Sequence, residues 1–239
     1  MIPNCYPEFV VKVALAEVGY MGKGSASADL DSPKKDAAKN GCYTKYGRDM
    51  DALKDFYNGR KQGHDWCCLF AQWSFVQAYG RENAQKLLNI PDKSLAAGVK
   101  YAWLYFYKAG RVLDDPKIGE QIFFRNRTTD YAHTGIVVGV DANYVWTVEG
   151  NVSVKGYREV VKKKYSRKDK NILGYGVPDY SEAPKVYYIV NKGDTLWKLS
   201  KKFYGTGTKW QLIAKANDIK GTVIRVGQKL VIPPPNTIY

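Results

Sequence analysis

The feature that most limits how this chain can fold is a change of apolar period part-way along it. Up to about residue 108 the apolar side chains recur at helical spacing, and from Glu120 onward they recur in short runs bounded by polar turns. Glu8 to Val18 places Val10, Val13, Ala14 and Glu17 on one stripe, with Val11, Leu15 and Val18 beside it, and stops before Gly19. The run from Trp66 to Val76 puts Leu69, Trp73 and Val76 on one helical face, with Gly80 as its stop. A further helix is predicted around Ala96 to Lys108. Strands are predicted over Glu120 to Phe124, Gly135 to Val140 and Tyr144 to Glu149, followed by two basic, weakly alternating runs through Val161. Helices first and strands afterwards argue for an α+β fold. Between Gly22 and about Gly63 the sequence is rich in Gly, Ser, Asp, Lys and Asn, and reads as a long decorated surface region with a short helix around Met50 to Tyr57.

A second unit follows a joint. Ser181-Glu182-Ala183-Pro184-Lys185 is short, polar and Pro-bearing, so the predicted domains are 1–180 and 186–239, with 181–185 between them. Within the smaller one, Val186 to Val190 reads as a strand and Asp194 as the cap of a helix that turns Leu196, Leu199 and Phe203 inward. Trp210, Ile213, Ala214 and Asn217 line a second helix, and Lys229 to Ile232 forms a closing strand. That is a β-α-α-β pattern. A length of 239 residues suffices for one large core and this small one.

Composition narrows the partners. The 37 Lys and Arg exceed the 23 Asp and Glu, and a formal net charge of +14 attracts polyanions. The densest basic run is Lys155, Arg158, Lys162, Lys163, Lys164, Arg167, Lys168 and Lys170. It has little aromatic interleaving beyond Tyr157 and Tyr165, so a solvated hairpin favouring anionic polymers fits it better than a nucleic-acid site. The N-terminus lacks a basic start followed by an apolar core, and no stretch reaches the roughly 18 apolar residues of a membrane span. The expectation is a product made in the cytoplasm without a signal peptide. Four cysteines, at 5, 42, 67 and 68, are too few for a disulfide framework, and no CxxC pair or His cluster suggests zinc.

Cys67 falls at the first turn of the predicted helix, where unpaired N–H groups and the positive end of the dipole stabilise a thiolate. Of the two histidines, His64 lies in the loop just before that helix, whereas His133 begins an apolar strand; His133 is the expected partner. If Asp141, Ala142 and Asn143 form a three-residue hairpin loop with Asn143 left-handed, His133 faces Asn151 and Gly135 faces Glu149. Glu149 and Asn151 then share the face that carries His133, one diagonal and one opposite, and supply the acceptor that orients an imidazole. A two- or four-residue loop would turn both side chains to the other face.

Trp66-Cys67-Cys68-Leu69-Phe70, His133-Thr134-Gly135-Ile136-Val137, Glu149-Gly150-Asn151 and Gly174-Tyr175-Gly176-Val177-Pro178 together resemble the CHAP family, the cysteine and histidine-dependent amidohydrolases and peptidases, over roughly residues 5 to 180. The resemblance implies a papain-like fold. It also implies a nucleophile at Cys67 with Cys68 as a neighbour, a base at His133, and orienting or polarising groups at Glu149 and Asn151. Its members cut amide bonds of peptidoglycan, between sugar and peptide or within the peptide. Asp29 and Asp31 resemble a calcium loop of some relatives but fall well short of the six to eight oxygen ligands calcium prefers; no cofactor is expected to be required.

Tyr188 to Trp197 and Val226 to Pro233 resemble a lysin motif (LysM) domain. That resemblance implies binding of N-acetylglucosamine-containing chains between Gly193, Asp194, Thr195 and Leu196 on one side and Asn217, Asp218 and Ile219 on the other. The combined expectation is an endolysin-like peptidoglycan hydrolase, either an N-acetylmuramoyl-L-alanine amidase or a peptide endopeptidase. The alternatives are a catalytically silent wall-binding protein and a cysteine transamidase.

Overall fold

Val10 and Ala14 of the first helix, α1 (Pro7–Ala16), are fully buried, while Leu15 and Val18 are exposed; only one of the two apolar stripes faces the core. The structure, a computed structural model, describes residues 7–180, 186–204 and 206–233. Its architecture is α+β. A first compact unit covers Phe9–Asp179, and a second is built on the chain from Tyr180 on. The expected joint at 181–185 lies outside the described residues.

In the first unit α2 (Lys45–Ala52), α3 (Cys67–Tyr79), α4 (Arg81–Leu88) and α5 (Val99–Lys108) precede a six-stranded antiparallel sheet. Its strands are β1 (Val112–Leu113), β2 (Gln121–Phe124), β3 (His133–Val140), β4 (Tyr144–Val154), β5 (Tyr157–Ser166) and β6 (Ile172–Gly176), in the order β1-β6-β2-β3-β4-β5. Helix α3 packs on β3 and β4. It is buried on all sides from Cys67 to Phe75, whereas Val76 is only half-buried, so it is a central helix rather than a one-sided amphipathic one. Its buried polar groups are paired: Gln72 accepts from the Tyr57 hydroxyl at 2.6 Å and donates to the Ala96 carbonyl at 2.7 Å.

The region between Gly22 and Gly63 differs from the decorated surface expected for it. Leu30, Tyr46, Met50, Phe56 and Tyr57 are core residues. Tyr46 lies 5.5 Å from Trp66, 5.3 Å from Phe70 and 4.9 Å from Trp73, between ring centroids. Burying each such side chain is worth about 1.5–3 kcal/mol before ordering entropy is subtracted. Most polar residues of this stretch sit outside, Lys23 and Thr44 being buried, while Tyr46 packs on the start of α3. The short helix is also displaced, to Lys45–Ala52, capped by Thr44 accepting from Gly47 N–H.

The β3–β4 hairpin departs from its expected turn. Asn143 is not left-handed; instead the Asp141 side chain accepts from the N–H groups of Asn143 and Tyr144, and Asp141 N–H donates to the Tyr144 carbonyl. This tighter closure pairs Val140 with Val145 and Gly139 with Trp146, one residue out of the expected register. A bulge at Val138 absorbs the difference, and Val137 pairs with Thr147 and Ile136 with Val148, as expected.

The second unit contains β7 (Val186–Ile189), α6 (Leu196–Tyr204), a 3₁₀ turn (Gly207–Lys209), α7 (Trp210–Ala216) and β8 (Lys229–Ile232), with β7 and β8 antiparallel. Its core is Val190, Leu196, Leu199, Ile213, Ala214, Leu230 and Ile232, with Phe203 and Trp210 packed against them. Among the described residues no helix is long and apolar enough to cross a membrane.

Candidate active site

The start of α3 meets β4 because Gly150 has no side chain. A Cβ there would lie 2.7 Å from Phe70 Cβ and 2.8 Å from the Trp66 ring. Trp66, fully buried, is the N-cap residue of α3 and donates its indole N–H to the Gly41 carbonyl at 3.3 Å. Cys67 is thus fixed as the first helical residue, on the wall of a cleft that His133, Asn151, Asp65, Tyr131 and Arg158 also line. Cys68, beside it, is fully buried.

His133 opens β3 opposite Phe124 of β2, whose ring stacks on the imidazole with centroids 6.0 Å apart. Its Nε2 stands 3.1 Å from Glu149 Oε2. The Cys67 thiol lines the same cleft, and thiol and ring shift one another's titration. Gly135 makes room for this arrangement, since a Cβ there would lie 2.5 Å from Glu149 Cγ.

Glu149 is completely buried. It is held by neighbours that the β4–β5 register places on its face. Thr147 Oγ1 donates to Oε1 at 2.5 Å, and Tyr165 OH donates to Oε2 at 3.2 Å. Lys163 Nζ forms an ion pair with Oε2 at 3.3 Å. Sequence reasoning missed Lys163 and Tyr165. The signal was present in the alternation of the basic run, in which Lys162 and Lys164 are exposed while Lys163 and Tyr165 turn inward.

The electrostatics follow from these contacts. The hydrogen bond with Cys68 lowers the pKa of the Cys67 thiol most; burial opposes it, and the His133 imidazole lowers it further, leaving it well below the ordinary thiol value. Cys68 moves upward, through the same hydrogen bond and burial, and keeps its proton. Burial disfavours a charged His133, but hydrogen bonds with Cys67 and Glu149 outweigh it and push the ring up to about 9. For Glu149 burial is likewise opposed, by His133, Lys163 and Thr147, and the carboxyl stays below its usual range. Such a site favours a thiolate–imidazolium pair backed by a carboxylate at a helix start.

Of the four residues expected at the catalytic centre, the structure brings Cys67, His133 and Glu149 together and leaves Asn151 apart from the imidazole. Asn151 occupies a left-handed conformation (φ 63°) in a bulge between Glu149 and Val152, and its Nδ2 donates to Asp65 Oδ1 at 2.9 Å. The bulge rotates it off the position opposite His133. Both expected calcium candidates are engaged by the protein. Asp29 accepts from Ser32 N–H and pairs with Lys35, and both oxygens of Asp31 meet the Arg48 guanidinium at 2.8 Å. No cluster of three or more His, Cys, Asp or Glu fit for a metal occurs among the described residues.

In the second unit the cap of α6 is Thr195, not Asp194: Thr195 Oγ1 accepts from Lys198 N–H, while Asp194 ties its own loop to Asn191 N–H and the Tyr188 hydroxyl. Leu196 is core, and Ile219 packs against that core. Asn217 bonds the Ile213 carbonyl and both polar groups of the Val231 backbone. Gly193, Thr195 and Asp218 are exposed.

A low-pKa thiol, an imidazole and an orienting carboxylate are the parts that acyl transfer through sulfur requires. The chain carries a CHAP domain followed by a C-terminal LysM domain: the CHAP domain family matches residues 59–151, and the LysM domain family residues 188–233. The CHAP match is narrower than the span 5–180 expected from the sequence. The chain is 39% identical over 88 residues to the uncharacterized protein YqbP of Bacillus subtilis (strain 168), a match covering 37% of each chain. It is 49% identical over 45 residues to a probable N-acetylmuramidase of Lactococcus lactis subsp. lactis (strain IL1403), covering 19% of this chain and 10% of that one. These matches span little more than a third of the first relative and a tenth of the second. No solved structure matches significantly.

Proposed function

We propose that this chain is an endolysin-like peptidoglycan hydrolase that cleaves an amide bond of the cell wall through Cys67, as an N-acetylmuramoyl-L-alanine amidase or a peptide endopeptidase. The pairing of a CHAP domain, which acts on peptidoglycan, with a glycan-binding LysM domain supports the substrate class. The observation that carries the mechanism is the connected series Cys67–His133–Glu149 opening on a cleft. In the first step the thiolate attacks the amide carbonyl carbon, and N–H groups at the start of α3 receive the oxyanion. Collapse breaks the C–N bond as the imidazolium gives its proton to the leaving nitrogen. His133 then takes a proton from water, whose oxygen attacks the thioester and releases a carboxylate and the thiol.

Within this reading Glu149 orients His133 and supports its charge, and the second unit holds the glycan through Gly193, Thr195 and Asp218. The steps use only side chains of this chain and water, so no cofactor is needed. Glycoside cleavage, the activity in the name of the Lactococcus protein, ordinarily uses two carboxylates flanking the bond, whereas the cleft here is built around a thiol. The test is the chemistry of the ends released from purified walls. New free amino groups without new reducing sugars are the expected result; reducing sugars alone would overturn the proposal.

A further inference from the structure

Two polar groups of the cleft are left unused by the reaction described above. Arg158, on β5, lines the same cleft as Cys67 and His133. Its Nε is buried without a hydrogen-bond partner among the described residues. Its backbone carbonyl accepts from Gly22 N–H, so the strand, not the side chain, holds the residue in place. Asn151 presents a second such group: its Nδ2 is taken by Asp65, while its Oδ1 is buried and unpartnered. The carboxylate that lines the cleft with them, Asp65, accepts from Asn151 through Oδ1.

A desolvated guanidinium donor and a desolvated carbonyl acceptor, both beside the reacting sulfur, have a shared complement. A peptide segment with a free carboxylate offers two oxygens in the geometry of the guanidinium fork, and its backbone N–H offers a donor to the amide oxygen. A carboxamide in place of the carboxylate supplies neither the charge nor the paired acceptors, and leaves the guanidinium uncompensated.

We propose that Arg158 and Asn151 form a specificity subsite for a substrate carboxylate close to the scissile amide, so that the enzyme selects acidic stem peptides over their amidated forms. This rests on the peptidoglycan-amide reading above. Arg158 binds the carboxylate, Asn151 Oδ1 receives a substrate N–H as the ligand seats, and Asp65 holds the Asn151 amide through its Nδ2.

The test is a binding experiment on the full chain carrying Cys67→Ala, which removes turnover. Calorimetry compares N-acetylmuramoyl-L-alanyl-D-glutamate capped at its γ-carboxyl as the methylamide, which leaves the α-carboxylate as its one anionic group, with the same capped compound amidated also at the α-carboxyl. The expected result is binding at least about tenfold tighter for the free acid. That ratio should fall to about one with Arg158→Gln and be partly kept with Arg158→Lys, each variant melting at the parent temperature. A ratio near one with Arg158 present, a ratio that survives Arg158→Gln, or no binding of either compound overturns the proposal. Wall cleavage by protein with Cys67 intact is measured in parallel. Cleavage that persists while the carboxylate preference is absent rejects the subsite and leaves the hydrolase reading standing.

Discussion

His133 Nε2 lies 3.1 Å from Glu149 Oε2, and this one contact fixes the tautomer of the neutral ring. A carboxylate accepts only, so Nε2 carries a proton and the other nitrogen exchanges one with Cys67. Glu149 can play this part while buried because Thr147, Tyr165 and Lys163 complete its hydrogen bonding.

Replacing Glu149 by Gln keeps the shape but allows the amide to present either its oxygen or its NH₂ to the ring. Loss of the fixed tautomer and of the charge is expected to lower kcat/KM by about 10²–10⁴-fold, in line with removal of the acidic member of a catalytic triad. The measurement is steady-state cleavage of soluble wall fragments; a change of less than threefold would contradict this role.

The pH profile follows from the two shifted groups. The active form has the thiolate and the imidazolium together, so the acid limb of kcat/KM marks Cys67, below the ordinary thiol value, and the alkaline limb marks His133 near about 9. Glu149→Gln removes an anion that favours the charged ring. The alkaline limb of its residual activity should therefore move to lower pH.

Gly150 is required by a close approach rather than by a turn. Gly150→Ala forces a Cβ into Phe70 and Trp66, and the strand and the helix start must separate. The expected cost is about 1–3 kcal/mol of stability together with loss of cleavage, read by denaturant unfolding and by wall clearing.

The second unit separates structure from binding. Asn217→Ala removes hydrogen bonds to Ile213 and Val231 and should destabilise that unit by about 1–3 kcal/mol. Thr195→Ala weakens the helix cap by about 1 kcal/mol, whereas Asp218→Asn removes the charge of an exposed side chain and keeps a residue suited to the left-handed backbone there (φ 54°). Loss of pull-down on insoluble peptidoglycan with Asp218→Asn, at unchanged melting temperature, would place it on the glycan.

The pattern of residues revealed much of this and concealed specific parts. Helix α3 was legible because its apolar run is long and stops at Gly80, and the second unit because its β-α-α-β pattern is short and regular. The face of Glu149 came out as expected although the turn did not, because two departures cancel: Asp141 tightens the loop, and Val138 adds a residue to β3. Asn151 shows the opposite outcome. Gly150-Asn151 suits a bulge and a left-handed backbone, but the pair reads equally as a turn at a strand end, so a side chain expected opposite His133 turns to Asp65. Phe56 and Tyr57 were hidden because they follow no helical or strand period, and Tyr46 and Met50 because one apolar pair four apart on the short, polar α2 is too weak a pattern among Gly, Ser and Lys. The choice between Asp194 and Thr195 as helix cap depended on one residue of register.

The central claim is that the sulfur of Cys67 performs the chemistry, and the most direct measurement is the clearing of purified walls by Cys67→Ala beside the unaltered chain at equal concentration. The variant retains Cys68, so it also separates the two adjacent thiols. A fall in rate of about 10³-fold or more with wall binding intact is the predicted result. Clearing by Cys67→Ala at a rate close to that of the unaltered chain would contradict it.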